Sequence, residues 1–163
     1  MENRVSELLS LIREEISLYR ELIEHARKKT ALLVQGSVTA LLESNKAEET
    51  FNIKLRMLED EMRRLCLEFA QAMSLPREEF TLLKLAEDFE PPVAQEIRSM
   101  TNLFRNLVDQ LKSVNQRNMR LVESSVCYSR GLLDLLANAT SSYQRTGQFR
   151  PFPAVPTTIS HRA

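Results

Sequence analysis

The chain has 163 residues, enough for one domain with a core of its own, and its 22 Lys and Arg balance its 22 Asp and Glu. Three glycines and six prolines leave long uninterrupted runs rich in Leu, Glu, Arg and Lys, which argue an all-α fold. The last acid is Asp134, so residues 141–163 carry +3 from Arg145, Arg150 and Arg162 and the body carries −3, a balance that argues against a nucleic-acid-binding body and against a polybasic membrane anchor.

The opening residues MENRVSELLSLIREE are charged too often for a signal peptide. No apolar run reaches the roughly 18 residues a membrane span needs, so no stable membrane insertion is expected. Cys66 and Cys127 lie far apart with no Cys-x-x-Cys, and read as two partly buried thiols in a reducing cytoplasm.

The first segment carries Val5, Leu9, Ile12, Ile16, Tyr19, Ile23, Ala26, Thr30 and Leu33, alternating four and three. That spacing predicts a helix over about 2–34, and Leu8 and Leu22 widen its stripe, as contact with two neighbours requires. Gly36 is a natural stop and Ser37 a natural N-cap, and so short a link forces an antiparallel hairpin.

The second helix is expected over about 37–73, with a seam of Phe51, Leu55, Leu58, Met62, Leu65, Phe69 and Ala72. Its early part, Glu43 to Thr50, offers only Ala47 for burial and reads as a solvated, weakly packed stretch. The pattern then breaks, because Pro76 fits only a loop or a first helical turn. Thr81 caps a short helix over about 82–88, whose Leu82, Leu85 and Phe89 can close one end of a bundle.

Pro91 and Pro92 start the last long helix, expected over about 92–138. Its seam runs Val93, Ile97, Met100, Phe104, Leu107, Leu111, Val114, Leu121, Tyr128, Leu132 and Leu135, with Asn118 and Ser125 in the missing seats. Asn115 and Asn118 have two readings: polar residues that fix register and helix number, or groups that capture an incoming helix. Returning along the second helix, this helix reaches the first turn after roughly 34 residues at about 1.5 Å each. Beyond that point Val126, Leu132, Leu133, Leu135 and Leu136 are expected to stay uncovered, an interaction surface unless a second copy or the tail covers them. Residues 141–163 have three prolines and no periodicity, and are expected to be a flexible, disordered tail.

The fold expected is therefore an antiparallel bundle of three long helices with one short connecting helix, coiled-coil-like packing, a bundle domain of residues 1–140 and a tail of 141–163. Three scattered glycines make no phosphate-cradling loop, and His25 and His161 make no metal cluster, so no cofactor and no metal is expected. No nucleophile is nominated beside His25, and the chain does not read as an enzyme.

Two further features invite comparison with known families. His25 and Lys28 form a His-x-x-Lys on what reads as an exposed helix face, similar to histidine phosphotransfer four-helix bundles. Lys29 stands where those proteins usually have Gly, and this chain supplies three long helices. The stronger likeness lies in the order of a helical hairpin, the break TLLKLAEDFEPP, then LKSVNQRNMRLVESS on a long helix and a tail with Tyr. Over residues 4–147 this resembles the FlgN-type flagellar export chaperones. Leu111, Asn115, Asn118 and Leu121 match their Leu-x-x-x-Asn-x-x-Asn-x-x-Leu signature.

The resemblance implies a cytoplasmic chaperone that holds the terminal helices of flagellar hook-associated proteins, prevents their premature assembly and delivers them to the export gate. It also implies that Tyr143 and Gly147 dock to that gate, although Thr146 stands where an acid often precedes the Gly. Taken with the resemblance, the uncovered Val126, Leu132, Leu133, Leu135 and Leu136 are assigned as the client surface, with a homodimer of the free protein as an open alternative. The rival readings are a coiled-coil scaffold that only oligomerises and a phosphotransfer bundle using His25.

Overall fold

The computed structural model describes residues 2–141. Helix α1 spans Glu2–Gln35, α2 Val38–Ala72, the short α3 Leu82–Leu85 and α4 Pro91–Ser141; the stretches Arg77–Glu79 and Ala86–Asp88 are single 3₁₀ turns. No strand occurs among the described residues, so the fold is all-α. The chain divides into two compact units, Met1–Leu121 and Val122–Ala163.

Local chemistry explains the breaks in the first unit. Gly36 ends α1 at φ +70, a left-handed conformation that glycine adopts without steric cost, and its N–H reaches the Leu32 carbonyl at 3.0 Å. Ser37 holds the expected N-cap position in extended backbone, but its side chain makes no capping hydrogen bond. Ser74 follows α2 at φ 54, and the Leu75 N–H closes back onto the Ala70 carbonyl at 2.9 Å. Thr81 caps α3 by accepting from the Lys84 N–H at 3.1 Å. Pro91 opens α4, where the missing N–H has no helical partner to lose.

Contacts fix the direction of each helix in this unit. Arg4 faces Glu68 and Arg64 faces Glu7 at one end of α1, while Lys29 pairs with Glu48 near the other, so α2 runs antiparallel to α1. Helix α4 runs parallel to α1: Arg13 pairs with Glu96, the Tyr19 ring meets Phe104 edge-on at 4.9 Å, and Asn118 bonds to Ala26. Leu8, Leu65, Leu85 and Ile97 are the largest fully buried side chains, one from each of the four helices. Each contributes about 1.5–3 kcal/mol of transfer free energy. Leu82 and Phe89 pack against the same core beside Leu85, which is how the short α3 segment closes it.

Burial departs from the sequence expectation in two places. Ala47 is exposed, and the buried residue of the 43–50 stretch is Ser44, 8 % exposed. Asn115 is exposed as well, so of the asparagine pair only Asn118 lies in the core. The reason is angular: Asn115 follows the seam residue Val114 by about 100° around the helix, whereas Asn118 takes the next seam seat.

Candidate functional site

In the second unit the described residues Val122–Ser141 form the last turns of α4. Every side chain from Val122 to Ala137 is exposed. Val126 is 44 % exposed, Leu132 43 %, Leu133 64 %, Leu135 67 % and Leu136 62 %, and Val122 and Tyr128 are exposed beside them. The five residues assigned to a client surface are thus brought onto one open segment. Large apolar side chains left exposed in such number on one helical segment are candidates for contact with another chain. Charged and apolar residues meet on the segment: Glu123, Arg130 and Asp134 line one shallow concavity together with Val122, Val126, Cys127 and Gly131. Tyr143 and Gly147, assigned to gate docking, and the whole tail lie outside the described residues.

The first unit holds a polar lock at its core. Asn118 is 6 % exposed, its Nδ2 donates to the Ala26 carbonyl at 2.9 Å, and its Oδ1 accepts from the Thr30 hydroxyl at 2.6 Å. Thr30 Oγ1 also lies 3.1 Å from the Ala26 carbonyl. A hydroxyl has one proton, and the shorter, charge-free contact to Asn118 takes it. Both ends of the amide are thereby satisfied, which a buried amide requires.

His25 is not on an exposed face. It is half-buried between α1 and α2, with Nε2 3.0 Å from the Ser44 carbonyl and 3.1 Å from the Ser44 hydroxyl, and its ring tilts against Phe51 at 5.5 Å. A carbonyl only accepts, so Nε2 carries the proton in that bond. Nε2 therefore has no lone pair free to take a phosphoryl group, and the ring edge that carries it is turned toward the second helix rather than toward an incoming partner. This geometry argues against phosphotransfer.

Sequence spacing did not single out Glu15, yet it is only 8 % exposed. Burial, and then the charge of Glu59, push its carboxyl up from 4.5 to about 7. The thiol of Cys66 is raised by burial first and by Glu15 second, and the Tyr19 phenol by burial, then Glu15 and Glu59. A signal was present: Glu15 falls in the stripe of Leu8, Leu11, Leu18 and Leu22, at a seat otherwise apolar. The chemistry of this cluster is that of a buried core acid beside a thiol and a phenol that burial holds in their neutral forms.

Among the described residues no group of three or more His, Cys, Asp or Glu is placed to hold a metal ion. Among them no helix is long and apolar enough to cross a membrane. Compared with known families, residues 1–151 match the family described as FlgN protein. No curated protein and no solved structure matches the chain.

Proposed function

The chain belongs to the FlgN family of flagellar export chaperones, and from that premise we propose that it binds the terminal helices of flagellar hook-associated proteins through residues 126–136. The observation that carries this reading is the run of exposed Val126, Leu132, Leu133, Leu135 and Leu136 on one helical segment. A client's terminal helix is amphipathic and polymerises when its apolar face is free. Laid against these residues, that face is removed from water, as in helix-in-groove recognition, and premature assembly is blocked. The chaperone works without chemistry on its client, in the cytoplasm, and hands the client to the export gate. Tyr143 and Gly147 are assigned to that docking step. Asn118 serves register: its two hydrogen bonds tie α4 to α1 at one setting within the first unit.

A pull-down tests the client surface. The full chain is expected to retain the C-terminal segment of a hook-associated protein in a 1:1 complex. Leu132→Asp or Leu136→Asp should weaken it about tenfold or more with unchanged helical circular dichroism. Undiminished capture by both variants would overturn the site, and a stable symmetric oligomer indifferent to the client would favour the scaffold reading.

A further inference from the structure

Helix α2 is packed unequally along its length. Its buried residues are Ser44, Leu58, Leu65, Phe69 and Ala70, and the one nearest the hairpin turn is polar. Between Val38 and Thr50 the apolar side chains gain little from packing: Val38 is 69 % exposed, Leu42 59 %, Ala47 is exposed, and Ala40 and Leu41 are half-buried. The seam that joins the core starts at Phe51.

The start of this helix is also weakly terminated. Ser37 sits at the N-cap without a side-chain hydrogen bond, and the first turn holds no acid to offset the positive end of the helix dipole. Both favour fraying from this end, and Gly36 beside it has open space around it. Two side-chain contacts hold the stretch to α1. His25 Nε2 meets the Ser44 carbonyl and hydroxyl at 3.0 and 3.1 Å, and Lys29 pairs with Glu48, their side chains 22 % and 28 % exposed. Over the same turns α1 is tied to α4 through Asn118, so α1 keeps a partner when the start of α2 lets go.

We infer that residues 38–50 form a flap that opens by itself, hinged before Phe51 and latched by the Ser44 and Glu48 contacts, while the rest of the first unit stays folded. Opening gives up little apolar burial, and the polar groups it releases are taken over by water, so it needs far less free energy than unfolding the core. The other end of α2 behaves differently. There Leu65 and Phe69 are 1 % and 2 % exposed, and they come free only when the whole unit unfolds. Opening uncovers the His25 ring, which in the closed form is bonded to Ser44 and tilted against Phe51. The first unit thus carries a movable cover over one face of α1 that costs its core nothing to open.

Native-state hydrogen exchange of the full chain, read by mass spectrometry of its peptides, tests the flap. Corrected for intrinsic rates, amides of residues 42–50 should exchange about a hundredfold or more faster than those of residues 58–70. Low urea should hardly change the first set and should speed the second, because only the second needs the large exposure of surface that urea favours. Glu48→Gln weakens the latch and should speed exchange in 42–50 about threefold or more, leaving 58–70 unchanged. Ser37→Asp supplies a cap and an acid, and should slow 42–50 about twofold or more, again alone. Equal protection in the two stretches, or variants that shift both together, would show a single cooperative unit and overturn the flap. Fast exchange in 42–50 that neither variant alters overturns the latch assigned to it.

Discussion

The buried amide of Asn118 binds Thr30 across the α1–α4 contact, accepting the threonine hydroxyl at 2.6 Å while donating to the Ala26 carbonyl one turn earlier on α1. A single side chain thus spans one turn of its neighbour. Sliding α4 by one heptad would leave both ends of the amide buried and unpaired, which costs about 1–3 kcal/mol for each abandoned group. Asn118→Ala should lower stability by about 1–2 kcal/mol in urea unfolding, and Thr30→Val by less, because Ala26 keeps its helical hydrogen bond. The double variant should cost less than the two single losses together, by about 1 kcal/mol. Additive losses would show that the bond does not hold the register. Asn115→Ala, at an exposed seat, should stay within about 0.5 kcal/mol of the parent.

Glu15 predicts how stability follows pH. Its folded carboxyl titrates near 7 against an ordinary 4.5, because burial and Glu59 disfavour the charged form. Between those values the folded chain holds the proton that the unfolded chain has released, so Glu15 lowers stability as pH rises through that window, with little further loss above it. Glu15→Gln should therefore match the parent near pH 4.5 and exceed it by about 1–2 kcal/mol at pH 8, less than the roughly 3 kcal/mol of an unscreened shift. Urea titrations of both proteins at the two pH values check this. An equal difference at both would refute it.

Ser74 holds a left-handed conformation at φ 54 after α2, where a Cβ costs about 1 kcal/mol. Ser74→Gly relieves that strain and gives back part of the gain as unfolded-chain entropy. The expected net is a stabilisation of a few tenths to about 1 kcal/mol, read as a shift in the urea midpoint with an unchanged slope.

The two cysteines should separate by reactivity. Cys127 is exposed, whereas Cys66 is half-buried and its thiol is pushed up by burial and Glu15. A maleimide at neutral pH should modify Cys127 at least about tenfold faster, since the thiolate is the reacting form. Mass mapping of the first modified peptide decides it, and comparable rates would show that the α1–α2 contact opens readily.

The helices themselves are written in the chain. Alternating four and three spacing, Gly36, Thr81 and Pro91 set where each one runs and stops, because periodicity, left-handed freedom and a missing N–H act within a few residues. The exposed leucines of α4 were legible too, from counting lengths against the hairpin. Three features needed the tertiary structure. Asn115 and Asn118 look alike in sequence, but only the angle at which α4 meets α1 buries one and leaves the other in water. His25 reads as a surface residue until the second helix brings Ser44 to its Nε2. Glu15 becomes a raised acid only when packing removes water from it and then places Glu59 of α2 near it. Local spacing fixes which residues share a face, whereas the partner across that face, and so the dielectric and hydrogen bonds each side chain meets, depends on packing between residues far apart in the chain.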